Sequence, residues 1–297
     1  MAKEKWDSLA DRVEAVLARV EQLLPPPASP PDFRRHHAFR WRNRNGRGQL
    51  VPVAHPHAIR FDDLIGIDAQ KERLIVNTRH FVEGRPANNV LLTGARGTGK
   101  SSLVKAALNQ FARKKLRLIE VDKSDLVHLA DIVDLLEGRE ERFIIFCDDL
   151  SFEANDPGYK SLKVALDGSI AAASENMLIY ATSNRRHLMP EQMSENLEAQ
   201  HTEQGEIHPG ETTEEKISLS ERFGLWLSFY PFTQDEYLQV VGHWVNVLAP
   251  GRQDAAMTRA ALQWSLERGS RTGRVAFQFA KDWAARNNKT PATPARK

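Results

Sequence analysis

Cysteine is nearly absent from this sequence, which has only Cys147 in 297 residues. A single cysteine excludes an internal disulfide framework and fits a reducing compartment. Long hydrophobic runs are absent too, since none approaches the ~18 apolar residues that a membrane-spanning helix needs. The first seven residues also lack the apolar stretch of a secretory signal. We therefore expect a cytoplasmic protein with no membrane partner.

The net charge is also small, at +2, but the charges are segregated along the chain. Residues 33–60 contain seven arginines, no lysine and no acidic residue. Residues 191–215 contain eight glutamates and neither lysine nor arginine. The near-neutral total therefore says little about partners, because each segment carries a strong charge of its own.

The N-terminal segment, residues 1–24, has the pattern of an amphipathic helix. This pattern leaves two interpretations open, a helix packed on its own chain or a short coiled coil. Prolines at positions 25–27 end the helix, and we predict a proline- and arginine-rich linker over residues 25–57. The apolar residues of the helix alternate steps of four and three: Leu9, Val13, Val16, Val20 and Leu23.

An alternation of strand-like and helical segments predicts an α/β domain over residues 58–230. Strands separated by helices imply right-handed crossovers and a parallel sheet with helices on both faces. From Thr233 onward the pattern is wholly helical, so residues 231–286 are predicted to form a small helical lid. Residues 287–297 are predicted to be a disordered basic tail. The predicted strands cover residues 89–93, 116–121, 143–147, 177–181 and 225–229.

A glycine-rich motif follows the first of these strands and precedes a helix. Residues 94–101 match G-x-x-x-x-G-K-[ST] at every fixed position. Its glycines let successive backbone N–H groups converge on phosphate oxygens at the positive end of the helix. Lys100 would reach the β- and γ-phosphates of ATP, and the Ser101 hydroxyl would ligate Mg²⁺. The predicted nucleotide contacts here are Gly94, Ala95, Arg96, Gly97, Thr98, Gly99, Lys100, Ser101 and Ser102.

Two carboxylates follow the nearly all-apolar strand at residues 143–147. A carboxylate at the tip of a parallel strand beside a P-loop can hold the hydrated Mg²⁺, and we assign Asp148 to that role. Asp149 is then positioned to polarise the attacking water as a general base. The alternative is that both residues cap the next loop or helix.

Three further polar residues are candidates for phosphate chemistry. Asn184 follows the strand at residues 177–181 and could orient the water or touch the γ-phosphate, although asparagine after a strand is often only a turn residue. Arg222 can stabilise charge on a phosphoryl group if it reaches a neighbour's nucleotide, and otherwise forms a surface salt bridge. Arg274, at the start of the last helix, reaches the phosphates or is simply solvated.

In this order, the motifs resemble the AAA+ superfamily over roughly residues 58–285. The resemblance implies that residues 94–101 are Walker A and residues 143–149 Walker B. It also implies that Ile65 and Gly66 belong to the stretch that packs on adenine. Asn184 falls at the sensor 1 position, Arg222 at the arginine finger and Arg274 at sensor 2, with Arg271 as the alternative. Three stretches, residues 86–92, 146–153 and 180–187, resemble an uncharacterised bacterial branch of predicted AAA+ ATPases.

Two departures from the AAA+ pattern bear on activity. Walker B usually ends in Asp-Glu, whereas here it ends in Asp148-Asp149. The second carboxylate is one methylene shorter, which predicts slow turnover. Protein-threading AAA+ machines carry an aromatic-apolar-glycine loop after the second strand, but residues 122–128 contain neither an aromatic nor a glycine. This favours a loader, clamp or switch over an unfoldase.

The leading functional hypothesis is an ATPase that hydrolyses ATP to rearrange a homo-oligomer and a macromolecular client. The alternative is an ATP-dependent switch, loader or recruiter with little hydrolysis. A small-molecule kinase is disfavoured, because Asn184, Arg222 and Arg274 do not fit the arrangement of residues that such a kinase needs. The arginines of residues 33–60 leave two interpretations open: contact with nucleic acid, with Trp41 stacking on bases, or a clasp onto the glutamates of residues 191–215.

Overall fold

The computed structural model describes residues 6, 12–17, 19, 30–44, 46–152, 156–167, 175–185, 188, 200–201, 207–208 and 219–287. The chain divides into two compact units, residues 1–32 and 33–297. In the first unit, residues 12–17 are helical, and most of the predicted helix lies outside the described residues. The predicted tail also lies outside them, apart from Asn287.

The second unit is built on a seven-stranded sheet. The strands of this sheet are β1 (Ala38–Arg44), β2 (Arg47–Pro52), β3 (Val90–Gly94), β4 (Leu116–Glu120), β5 (Arg142–Cys147), β6 (Met177–Ser183) and β9 (Leu225–Phe229). Their order across the sheet is β2-β1-β4-β5-β6-β3-β9. Every neighbouring pair is parallel except β1 and β2, which form an antiparallel hairpin. Two short strands, Gln200–His201 (β7) and Ile207–His208 (β8), pair separately.

Strand β5 shows why the sheet is covered on both faces. Ile144 and Phe146 pack into one apolar cluster, whereas Phe143, Ile145 and Cys147 pack into another. Alternate residues of a strand point to opposite faces, so a strand with apolar residues at every position must be buried on both sides. The predicted α/β fold with a parallel sheet and helices on both faces is confirmed.

The described α/β part contains both α-helices and short 3-10 helices. The α-helices are α1 (Asp68–Val82), α2 (Lys100–Phe111), α3 (Leu129–Leu136) and α4 (Pro157–Asp167), and the 3-10 helices are Phe61–Asp63, Ala112–Lys114 and Lys123–His128. Helix α2 begins at Lys100, within the glycine-rich motif. Lys100 and Ser101 bond residues at the carboxyl ends of β3, β5 and β6, so the start of α2 lies at that edge of the sheet.

The C-terminal part is the predicted helical lid, with α5 (Gln234–Leu248), α6 (Ala255–Glu267) and α7 (Gly273–Asn287). Its own apolar cluster includes Tyr237, Val241 and Phe279. Thr233 starts α5 with a capping box, in which the Glu236 carboxylate accepts from the Thr233 backbone N–H at 2.8 Å. Among the described residues, no helix is both long and apolar enough to cross a membrane.

The predicted linker at residues 25–57 needs a correction. Strands β1 (Ala38–Arg44) and β2 (Arg47–Pro52) pair as an antiparallel hairpin, and β1 pairs with β4. Phe39 and Trp41 are buried in the core, with Trp41 only 3% exposed. The alternation of these aromatics with arginines is the period-two signal of a half-buried strand, and the high arginine content obscures it.

Two arginines of β1 pair with acidic residues at and just beyond the carboxyl end of β4. Arg40 binds Glu120 at 2.6 Å, and Arg42 binds Asp122. Because the ring of Trp41 is buried, the prediction that it stacks on bases is wrong for this fold. The proposed acidic clasp at residues 191–215 lies outside the described residues, apart from β7 and β8.

Candidate functional site

The glycine-rich loop needs glycine at three positions. Gly94, Gly97 and Gly99 have φ values of +123°, +73° and +102°, a region that other residues rarely adopt. At Gly94 the space is also closed, because an added Cβ would lie 1.9 Å from the carbonyl oxygen of Phe229. The motif therefore folds into a loop that a side chain at these positions would disrupt.

Lys100, the first residue of α2, is 6% exposed and bends back over the loop. Its Nζ donates to the carbonyl oxygens of Gly94 and Ala95, each at 2.7 Å, and to Oδ1 of Asn184 at 3.1 Å. Burial lowers the pKa of Lys100, and the nearby charges of Asp148 and Asp149 oppose that shift. The lysine is therefore held at the centre of the polar cluster.

Asp148 follows β5, and one of its carboxylate oxygens accepts hydrogen bonds from two hydroxyl groups. Ser101 Oγ and Thr182 Oγ1 each donate to Asp148 Oδ1 at 2.6 Å. Ser101 comes from the first turn of α2 and Thr182 from β6. Three separate elements thus converge on this carboxylate.

Asp149 has φ +55°, in the left-handed region. This conformation costs a non-glycine residue on the order of 1–3 kcal/mol unless surrounding contacts hold it. Its backbone N–H donates to Thr182 Oγ1 at 2.8 Å, and its carboxylate accepts from the side-chain amide of Asn184. Asn184 therefore bridges Lys100 and Asp149, so both carboxylates, the lysine and the amide lie in one hydrogen-bonded cluster.

A cavity of about 650 Å³ opens beside this cluster, between the α/β part and the lid. Residues 96–102 of the loop and α2 line it, together with Asp148, Asp149 and Asn184. Gly94 and Ala95 do not line it, and instead their carbonyl groups hold Lys100.

The far end of the cavity is apolar and aromatic. Trp244 of α5 and Phe277 of α7 meet edge to face, with ring centroids 4.6 Å apart. Ile65 lines this end with Phe232 and Val240, whereas Gly66 does not line the cavity. Sequence reasoning missed Trp244 and Phe277, because an aromatic residue on a lid helix carries no local signal of a binding role.

The start of α7 contacts the glycine-rich loop. The Gly273 backbone N–H donates to the carbonyl oxygen of Gly97 at 2.8 Å. Arg274 lines the cavity, whereas Arg271 does not, so the geometry favours Arg274 of the two candidates. A second contact joins lid and α/β part, from His243 Nε2 to Asp63 Oδ1 at 3.2 Å.

Arg222 lies apart from this cluster. It does not line the cavity of its own chain, and its Nε donates to Asp167 at the end of α4. Of the seven polar residues singled out from the motifs, the structure brings six together: Lys100, Ser101, Asp148, Asp149, Asn184 and Arg274.

The residues present fit a magnesium nucleotide. The Ser101 hydroxyl and the Asp148 carboxylate are the hard oxygen donors that Mg²⁺ takes. The loop glycines, with positive φ at Gly97 and Gly99, allow backbone N–H groups to surround a phosphate without a Cβ in the way.

The fold is shared with solved AAA+ structures. The structure of a Thermotoga maritima RuvB point variant aligns with a TM-score of 0.51 and 18% identity, covering 75% of this chain and 63% of that one. The Aeropyrum pernix Orc1 protein in complex with DNA aligns with a TM-score of 0.50 and 16% identity, covering 75% and 65%. The chain thus spans less than two thirds of the length of these structures, and at such identities the likeness shows the fold alone.

The comparison with curated proteins gave no match. The family model described as "Protein of unknown function (DUF815)" matches residues 34–287, which is most of the chain. The family match agrees with the expected uncharacterised family, and the structural likeness agrees with the expected AAA+ fold. The chain belongs to the DUF815 family and has the AAA+ fold, a P-loop α/β domain followed by a helical lid.

Proposed function

We propose that this protein binds ATP with Mg²⁺ and hydrolyses it. The observation that carries the proposal is the hydrogen-bonded cluster of Lys100, Asp148, Asp149 and Asn184 at the mouth of a glycine-rich loop. A structural loop would not need a lysine, two carboxylates and an amide on one cavity. Burial of a charged lysine costs free energy, which a bound polyphosphate would offset.

Each residue has a distinct role in this proposal. Lys100 exchanges its bonds with the Gly94 and Ala95 carbonyl groups for phosphate oxygens. Ser101 and Asp148 hold Mg²⁺, which neutralises phosphate charge when bound. Asp149 accepts the proton of the attacking water, and Asn184 orients that water. Arg274 contacts the phosphates from the lid.

The base of the nucleotide is proposed to occupy the aromatic end of the cavity, next to Ile65 and Trp244. A flat aromatic ring fits an apolar pocket with a tryptophan wall, since aromatic rings pack favourably edge to face or offset. Gly66 does not line this end itself, but it lies next to Phe232, which does. Its φ of +79° is a backbone conformation that favours glycine.

We further propose that the protein assembles as a homo-oligomer and acts on a macromolecular client. The support is the position of Arg222, which does not line the cavity of its own chain and would need a neighbour's nucleotide to act as a finger. Nucleic-acid contact through residues 33–60 now rests on the arginines alone. A cytoplasmic location is part of the proposal and rests on the single cysteine, Cys147.

The test is ATP turnover per subunit, measured over a range of protein concentrations. A rate per subunit that rises as subunits associate supports hydrolysis in an oligomer. No binding of Mg-ATP in calorimetry would overturn the proposal.

An ATP-dependent switch with little hydrolysis is the second candidate. One observation favours it: the short carboxylate of Asp149 is already bonded to Asn184. Tight Mg-ATP binding with turnover near zero at every protein concentration would select the switch over the ATPase.

A further inference from the structure

Thr182 occupies the point where two strands of the sheet end side by side. Strands β5 and β6 are parallel, with Cys147 opposite Ala181. The next pair along the two strands brings Thr182 next to Asp148. Thr182 is 1% exposed at this point, so its hydroxyl group must find partners within the protein.

The hydroxyl of Thr182 has two partners, and their chemistry fixes its orientation. The backbone N–H of Asp149 can only donate, so Thr182 Oγ1 accepts this bond at 2.8 Å. The single hydroxyl hydrogen is then free to go to Asp148 Oδ1, which lies 2.6 Å away. One side chain thus contacts both residues of the carboxylate pair.

Each of these two bonds holds a different feature of the site. The bond to Asp148 supports its carboxylate independently of Ser101, whose hydroxyl donates to the same oxygen in this structure. The bond from Asp149 holds a backbone at φ +55°, a conformation that contacts must stabilise. Asn184, two residues further along, bonds the Asp149 carboxylate.

We propose that Thr182 is a positioning residue that sets Asp148 for metal binding and Asp149 for water activation. This inference rests on the proposed function, since it assigns Thr182 a role through the two aspartates. When the Ser101 hydroxyl turns to the metal, the Thr182 hydroxyl still holds the Asp148 carboxylate. Asp148 therefore keeps its orientation during nucleotide exchange.

The test compares three single variants with the wild type. Thr182→Val keeps the shape of the side chain and removes the hydroxyl group, whereas Thr182→Ser keeps the hydroxyl group. The matched control is Thr93→Val, on the neighbouring strand β3. Thr93 is also buried, but its hydroxyl accepts from Trp226 Nε1 at 2.7 Å and it does not line the cavity.

The main measurement is the dissociation constant for ATP by calorimetry, with Mg²⁺ and with EDTA. A hydrogen bond to a charged group is worth roughly tenfold in an equilibrium constant. The gain in affinity from Mg²⁺ is the ratio of the dissociation constant in EDTA to that in Mg²⁺. We expect this ratio to be about tenfold smaller in Thr182→Val than in the wild type. Thr182→Ser and Thr93→Val are expected to keep the wild-type gain. Single-turnover hydrolysis should also slow in Thr182→Val and recover in Thr182→Ser.

Two results would overturn the inference: a wild-type metal gain in Thr182→Val, or an equal loss in Thr93→Val. Failure of the proposed function looks different, because the wild type itself would then show no metal-dependent ATP binding. Thermal unfolding without nucleotide checks that each variant is folded. If Thr182→Val does not fold, Thr182→Ala is measured in the same way and carries the same two outcomes.

Discussion

Arg222 donates a hydrogen bond from its Nε to the carboxylate of Asp167, the last residue of α4. The two residues are 55 positions apart in the chain, and the arginine does not line its own cavity. The proposed finger is thus paired with an acidic residue of its own chain. A finger that acts on a neighbour's nucleotide would exchange this partner for phosphate oxygens on assembly.

Arg222→Ala is expected to bind ATP with wild-type affinity and to lose hydrolysis by roughly 10³-fold or more, because an arginine finger stabilises only the transition-state charge. Steady-state turnover and calorimetry measure the two properties. The matched control is Arg286→Ala, which removes an arginine that pairs with Asp282 within α7, and it should keep full turnover.

Mixing Arg222→Ala with Lys100→Ala subunits extends this prediction. Partial activity should return, since a mixed interface can combine an intact P-loop with an intact arginine. No recovery at any mixing ratio, in subunits shown to co-assemble, would mean that Arg222 is structural or acts within its own chain.

Lys100→Ala is expected to remove ATP binding without unfolding the protein. The Nζ of Lys100 bonds two loop carbonyl groups and Asn184, but burial lowers its pKa and so disfavours its charge. Loss of the lysine therefore removes an unfavourable burial along with those bonds. Calorimetry and thermal unfolding should be run beside Lys114→Ala, an exposed lysine that pairs with Glu83. Unchanged ATP affinity in Lys100→Ala would contradict the P-loop assignment.

Asp148→Asn and Asp149→Asn should separate metal binding from hydrolysis. We expect Asp148→Asn to weaken ATP binding with Mg²⁺ by at least about 10-fold, since even a group that only orients a metal's ligands is usually worth that much, and to change binding in EDTA much less. Asp149→Asn should bind Mg-ATP normally and hydrolyse it slowly. Equal losses with and without metal in Asp148→Asn would remove Asp148 from the metal site.

Trp41→Ala is expected to destabilise the protein by roughly 3–5 kcal/mol, the usual cost of removing a large buried ring. Chemical denaturation measures the change, with Arg47→Ala as the control. Arg47 is exposed on the same hairpin and should change the free energy of unfolding by less than about 0.5 kcal/mol. A stable Trp41→Ala protein would contradict the packing of the hairpin on the sheet.

The hairpin also gives an expectation for nucleic acid. Because Arg40 and Arg42 already pair with Glu120 and Asp122, we expect little binding of single-stranded oligonucleotides through β1. Anisotropy of a labelled oligonucleotide at low salt, with and without ATP, measures this. Binding that falls by roughly 0.7 log units per log unit of salt for each neutralised phosphate, and that is lost when Arg40 and Arg42 become alanine, would contradict the expectation.

Cys147 is expected to be inert in the folded protein. Burial, aided by the neighbouring charge of Asp148, raises the pKa of its thiol to about 12, so the reactive thiolate is nearly absent at neutral pH. Alkylation with iodoacetamide, followed by mass spectrometry, should be slow in buffer and fast in denaturant. Rapid alkylation of the native protein would mean that β5 is not buried as described.

The sequence by itself determined the α/β fold and the position of the glycine-rich loop. Strands buried on both faces are apolar at every position, as residues 143–147 are, so they stand out without any knowledge of their neighbours. The glycine-rich loop can also be recognised locally, because its glycines and its lysine lie within eight consecutive residues, 94–101. The residue roles at the site stay predictions, although six of the seven candidates line one cavity.

Only the tertiary structure decided the contacts between distant segments. Thr182 reaches Asp148 across 34 residues, and Trp244 meets Phe277 across two lid helices. The hairpin joins the sheet because Phe39 and Trp41 pack into the apolar cluster on one face of the sheet, where β1 lies beside β4. The arginine-rich sequence does not show which strand β1 will pair with. Such contacts depend on which strands become neighbours and in what register, and a one-residue change of register would turn every side chain to the other face.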